Sequence, residues 1–217
     1  LHAQALAPDD PRWPYYLGHV DMARNVPDKA IAAFERALQL RPGDAAALVW
    51  LGNIQLDQGR PETAEPLFEQ ALAKQSGLVA ALFGLGRAAL AKREYSRAID
   101  RLEQALAADP RATIVHYPLA LAYRAAGDTA KAEAHLQQRG TVEVGPPDPL
   151  MVALRDVLHS AAAEEARGER ALNSGDLPAA VAHFRNAVEL APDHPASRQK
   201  LGTALSLAGD GRGALEQ

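Results

Sequence analysis

Seven histidines are scattered through the 217 residues, with no i, i+4 pair that could hold a metal ion. His116 and His135 would approach each other if neighbouring helices carry them, but ordinary packing is the better account of such a pair. Gly84-Leu85-Gly86-Arg87-Ala88-Ala89 formally resembles a dinucleotide fingerprint, yet no strand precedes it. Phosphate-loop, Gly-x-Ser-x-Gly and His-Glu-x-x-His patterns are absent, and no serine–histidine–acid arrangement can be argued from order alone. With no cysteine there is no thiol nucleophile, zinc–cysteine site or disulfide framework. The expectation is therefore a chain that is not an enzyme, with no catalytic residue, no metal and no cofactor. What remains is a small set of aromatics, 5% of the chain, several of them close to arginine or asparagine. Large rings with directional donors beside them anchor partners: they bring contact area with little entropy loss.

The elements that must carry those rings follow from composition and period. Hydrophobic residues are 47% and charged residues 23%, an ordinary globular balance. Alanine is the commonest residue, which favours closely packed helices over sheets of β-branched and aromatic residues. A net charge of −4 and a pI near 6.0 argue against nucleic acid as the partner. No apolar run approaches the ~20 residues that span a bilayer, so no membrane insertion is expected. Arginine far exceeds lysine, which with the alanine content points to a GC-rich bacterial genome. Compartment is left open between cytoplasm and periplasm. Leu1 is no initiator and no leader follows it, so any targeting signal is expected to have been removed or never included.

The chain repeats itself. Ala30, Phe34 and Ala37 recur as Ala64, Phe68 and Ala71, then as Ala98, Leu102 and Ala105, and again as Ala180, Phe184 and Ala187. Pro42, Pro110 and Pro192 follow at a fixed distance, Leu17-Gly18, Leu51-Gly52 and Leu85-Gly86 precede the first three copies, and a further Leu201-Gly202 pair comes later. The offset is 34 residues. These residues resemble the tetratricopeptide repeat, a helix–turn–helix unit with Leu-Gly in its first helix and Ala, Phe, Ala, Pro in its second. The registers are 11–44, 45–78, 79–112, 113–146 and 161–194, with partial copies at 1–10 (Ala3, Pro8) and 195–217. The resemblance implies an all-α superhelix, a solenoid of helical hairpins. Small residues such as Gly18, Gly52 and Gly86 are expected where two helix backbones approach closely. Gly59, Gly127, Gly175 and Gly209 mark turns, for which repeats one and three use Asn25 and Arg93.

An irregular stretch near 140–160 interrupts the period. Repeat four has Ala120 for glycine and Arg139 for alanine, and its tail reads Gly140-Thr-Val-Glu-Val-Gly-Pro-Pro-Asp-Pro149. Asp148-Pro149 reads as the start of a new helix whose Leu150, Val152, Leu154, Val157 and Leu158 are expected to bury. We read a break or kink that gives two segments, 1–145 and 146–217, the second holding the insertion helix and the later repeats; the alternative is a surface excursion between unbroken repeats. Both ends fall inside second helices, as expected of an excerpt from a longer protein or of an ordered core with its flanks missing.

The resemblance also implies where a partner binds: the side of each first helix opposite its packing face lines a concave groove. That places Tyr15, Tyr16, His19, Trp50, Asn53, Phe83, Arg87, Tyr117 and Arg124 in it. A subtype of the family clamps C-terminal carboxylates with a Lys/Asn/Asn/Lys/Arg set, for which this chain has Tyr15, His19, Trp50, Ala80 and Gly84, so that clamp is not expected. The function implied is a scaffold capturing a protein or peptide partner, as an extended segment or a helix. The alternatives are a regulatory or substrate-presenting arm of a larger enzyme, or a bacterial envelope assembly scaffold. Self-association through end repeats is also open.

Overall fold

A computed structural model describes residues 7–216, so Ala3 of the partial first repeat lies outside the described residues. Those residues form thirteen α-helices and no strand, in two compact units that divide between Asp148 and Pro149.

The first unit is four hairpins: α1 (Arg12–Ala23) with α2 (Pro27–Leu40), α3 (Ala45–Asp57) with α4 (Pro61–Lys74), α5 (Val79–Ala91) with α6 (Tyr95–Ala108), and α7 (His116–Ala125) with α8 (Thr129–Gln137). A single 3-10 turn, Thr113–Val115, leads into α7. Each second helix also packs on the first helix of the next hairpin, and α3, α5 and α7 lie side by side. The helix starts are written in the sequence. Proline occupies the first turn of α2 and α4, where its missing N–H leaves nothing unsatisfied. Asp44 and Asp128 cap α3 and α8 by accepting from Ala47 N and Lys131 N, at 3.1 and 3.0 Å. Inside the hairpins the chain turns through the left-handed region, at Gly59 and Gly127 and, without glycine, at Asn25 (φ 56°) and Arg93 (φ 62°).

Phe34, Phe68 and Leu102 are fully buried and key the hairpins together. The small residues of the Leu-Gly pairs serve these side chains, and here the structure corrects the expectation of backbone contact. A Cβ added at Gly18 would meet the Phe34 ring at 2.7 Å, one at Gly52 would meet Phe68 at 2.7 Å, and one at Gly86 would meet Leu102 at 2.5 Å. Phe68 also fills the space over Gly84 of the following hairpin, at 2.5 Å. One ring is thus seated between the first helices of two successive repeats.

The second unit comprises α9 (Pro149–Leu158), α10 (Ala161–Asn173), α11 (Leu177–Leu190), α12 (Pro195–Leu207) and the short α13 (Gly211–Leu215). Phe184 takes the place of the earlier phenylalanines over Gly168, and Ala180, Leu201, Ala204 and Leu205 complete its core. Helix α9 corrects the sequence reading, since it contains no buried residue, and Val152, Val157 and Leu158 are exposed.

The fourth hairpin is the one that departs. Its second helix stops at Gln137 after 9 residues, against 14 in α2, α4 and α6. Pro146, Pro147 and Pro149 cannot donate to a helix and bias the residues before them to extended backbone. The remainder of the repeat therefore runs extended.

Candidate functional site

That extended run, Gly140–Asp148, lies along the first helices of its own unit. It starts beside the fourth hairpin, where Gly140 N donates to Thr113 O (3.2 Å), Val142 N to Thr113 Oγ1 (3.2 Å), and Ile114 N to Val142 O (3.3 Å). Val144 packs against the cores of the second, third and fourth hairpins. Pro146 is buried. The run ends at the first and second hairpins, where the Asp148 side chain is only 12% exposed.

Three side chains receive Asp148. Tyr15 and His19 stand one turn apart on α1, and Trp50 is on α3. Tyr15 Oη donates to Asp148 Oδ2, Trp50 Nε1 donates to the same oxygen at 3.2 Å, and His19 Nε2 faces it at 3.5 Å. The rings brace one another edge to face: Tyr15 on His19 at 4.9 Å, His19 on Trp50 at 5.1 Å, and both Tyr15 and His19 on Phe34. Tyr15 is 1% exposed, so its ring belongs to the core and its hydroxyl serves the carboxylate. Burial, then the bond to Asp148, pushes the phenol well above its ordinary value. It stays a proton donor throughout the physiological range. Tyr16 is half-buried and packs edge-on against Tyr15 and Trp13.

The other predicted residues lie further along. Phe83, Arg87 and Tyr117 line an open groove of about 1130 Å³ together with Leu56 and, from the extended run, Arg139 and Glu143. Arg87 is held by Asp57 at 2.8 Å and lies over the Phe83 ring, its guanidinium carbon 5.7 Å from the centroid. Tyr117 is 52% exposed. Asn53 is half-buried on α3 and Arg124 exposed on α7; neither lines this groove. The sequence-predicted residues are thus divided between an end filled by the chain itself and an end open to solvent. Asp148 and the run before it were missed as site elements. Their signal was the alternating Val142 and Val144 ahead of a proline pair, an extended segment with an apolar side.

Two polar clusters lie elsewhere. His116 Nδ1 and His135 Nδ1 are 2.9 Å apart, with Tyr123 stacked on His135 and bonded to Glu103. Burial lowers the basicity of both histidines, and His116 lowers that of His135 further. No group of three or more metal-ligating side chains forms among the described residues. In the second unit Ser197 Oγ donates to Glu165, and His194 Nδ1 lies 2.9 Å from that oxygen and 3.2 Å from Glu165 Oε1. Serine and acid meet the same imidazole nitrogen, so the ring cannot relay a proton between them. Ser197 is fully buried, and Lys200 completes the cluster on Glu165 at 2.7 Å. This is a clasp between α10 and α12.

The tetratricopeptide repeat profile matches residues 15–79, 83–139 and 165–217. Among solved structures, the chain is similar to a thermophilic TPR protein of Thermus thermophilus, with 27% identity and a TM-score of 0.54 over 91% of this chain and 100% of that one. It is similar in fold to MamA from Desulfovibrio magneticus, with 18% identity and a TM-score of 0.50 over 95% and 90%. A mutant O-GlcNAc transferase of Thermobaculum terrenum aligns at 25% identity and a TM-score of 0.50, over 52% of this chain and 22% of that one. No curated protein sequence matches the chain. The repeated hairpins, the phenylalanine seated over glycine in successive units and the profile over most of the length agree: the chain belongs to the tetratricopeptide repeat family.

Proposed function

We propose that the chain is a protein-interaction scaffold that captures a partner segment in the open groove of its first unit. Proteins built on this repeat act in general as scaffolds for other proteins. The observation that carries the finer reading is the groove between α3, α5 and α7, where the apolar Leu56, Phe83 and Tyr117 stand beside two guanidinium groups, Arg87 and Arg139. Partly exposed rings beside guanidinium donors, one of them held by Asp57, suit an extended peptide, whose side chains take the apolar floor while its carbonyls and acids meet arginine. The chain's net charge of −4 speaks against nucleic acid, and no helix among the described residues is long and apolar enough to cross a membrane.

A displayed random-peptide library selected on the full chain tests this. Enriched peptides are expected to bind the wild type and to lose at least about fivefold in affinity on Phe83→Ala, the ~1 kcal/mol of an interface anchor. Equal binding to both chains, or no enrichment, would overturn the reading. A second reading, a substrate-presenting arm of a larger enzyme, draws on the O-GlcNAc transferase alignment. A catalytic domain in the flanking sequence of the gene would favour it.

A further inference from the structure

We propose that the extended run 140–148 is a built-in competitor, and that the Tyr15–His19–Trp50 cradle accepts the acid of an external partner segment when Asp148 leaves. This rests on the scaffold reading and extends it to a second, covered subsite.

Three observations carry it. First, the cradle is chemically selective. Tyr15 Oη and Trp50 Nε1 both donate to one carboxylate oxygen, and the third group is an imidazole facing that oxygen. An indole N–H can only donate, and the raised phenol keeps its proton. The site therefore suits a carboxylate and rejects an ammonium or guanidinium. Second, the occupant shows the spacing that fits: an aliphatic side chain at Val144 packed on the repeat cores, a buried proline at Pro146, and the acid at Asp148. The partner we infer has the same form, an extended segment with an aliphatic residue, proline two positions on and Asp or Glu two further. Third, the occupant's hydrogen bonds are confined to its ends. Its backbone bonds are made to Thr113 and Ile114, and among the described residues 143–147 none makes a hydrogen bond. Glu143, Gly145 and Pro147 are exposed. With Val144 and Pro146 as its packed side chains between those ends, the run opens at less cost than unfolding a hairpin.

A tethered competitor acts at an effective concentration in the millimolar range, roughly, so it weakens any free segment without abolishing its binding. The apparent affinity is reduced by the fraction of chains whose cradle is empty.

The test uses a labelled synthetic peptide of residues 140–149, titrated by fluorescence anisotropy into the full chain. We expect weak binding to the wild type and about tenfold tighter binding to Asp148→Asn, whose own segment competes poorly. The gain should vanish when the peptide's aspartate is replaced by lysine, and when Trp50→Phe is added to the chain. Equal affinity for wild type and Asp148→Asn, or indifference to the peptide's acid, would overturn the proposal. A guard against poor folding of Asp148→Asn uses the wild type alone. Saturating peptide should accelerate hydrogen exchange at Val142, whose amide the segment spends on Thr113, and unchanged exchange would refute displacement. Peptide-independent dimers formed by exchange of 140–148 between copies would also overturn it, since the occupant would then be a second copy. If the peptide fails while Phe83-dependent ligands still bind, this proposal falls and the scaffold reading stands.

Discussion

The Tyr15 hydroxyl, on the first described helix, donates its proton to the Asp148 carboxylate 133 residues later. Trp50 donates to the same oxygen from the second hairpin, at 3.2 Å. One acidic side chain thus ties the beginning of the repeat array to the run that follows its fourth repeat. Tyr15 is buried, so without Asp148 its hydroxyl would lack that acceptor.

Asp148→Ala should consequently destabilise the first unit by about 1–3 kcal/mol, the cost of an orphaned buried donor. Tyr15→Phe removes the donor with its need and should cost less, about 1 kcal/mol. The double variant should be more stable than the sum of the singles predicts, because both act on one bond. Urea unfolding of the four chains closes the cycle. Strict additivity would mean that the bond contributes nothing in solution.

The ring of Phe68 lies between Gly52 of its own hairpin and Gly84 of the next, at 2.7 and 2.5 Å from the positions a Cβ would take. Gly52→Ala should gain helix propensity, yet its methyl drives into the ring and should cost about 1–3 kcal/mol net. Adding Phe68→Leu should recover part of that loss, since the smaller side chain yields space. Phe68→Ala alone should cost about 3–5 kcal/mol. Thermal unfolding of the single and double variants checks all three, and a failure of Leu to rescue would mean that the alanine acts on the backbone instead.

These contacts show what could be read before folding and what could not. The glycine and phenylalanine positions repeat every 34 residues, so a local regularity announces them. Each is fixed by neighbours within one or two hairpins. The seat of Asp148 has no such signature: it depends on where a non-periodic run crosses four helices. Tyr15, His19, Trp50, Ala80 and Gly84 do not form the lysine–asparagine clamp of the family's carboxylate-binding subtype. The structure seats a carboxylate against the first three all the same, using uncharged O–H and N–H donors and an imidazole. Residue types alone did not reveal this, because a tyrosine or tryptophan becomes a carboxylate ligand only when its neighbours aim it. The exposure of the insertion helix was illegible for a related reason. Apolar spacing on α9 specifies a face, but not what lies opposite it.

The turns inside the hairpins give a cleaner substitution. Arg93 holds a left-handed backbone at φ 62° that other repeats assign to glycine, and its side chain is exposed. Arg93→Gly should stabilise the first unit by about 1 kcal/mol, the steric cost that Cβ imposes there. Asn25→Gly, at φ 56°, should change little, since asparagine tolerates the region. Differential scanning calorimetry should place Arg93→Gly above the wild type in Tm. An unchanged Tm would mean that the loop relaxes around the arginine.

The fourth hairpin should be the acid-sensitive part of the array. His116 and His135 share a 2.9 Å contact between their Nδ1 atoms, where one proton fits and two do not. Burial pulls both below the ordinary value of 6.5, and His116 depresses His135 further, while Glu103 opposes that shift and Lys131 adds to it. A histidine with a depressed folded value is held neutral in the native state, so the unfolded chain takes up protons first as the pH falls. Its contribution is complete above about pH 6.5 and is lost as the pH drops from there through the lower folded values. Thermal unfolding between pH 7.5 and 5 should therefore show a decline that His135→Gln flattens, because one imidazole without its partner has less reason to refuse a proton. Hydrogen exchange should place the early loss of protection in α7 and α8. Titration of both imidazoles by NMR at or above 6.5 would remove the basis for the effect.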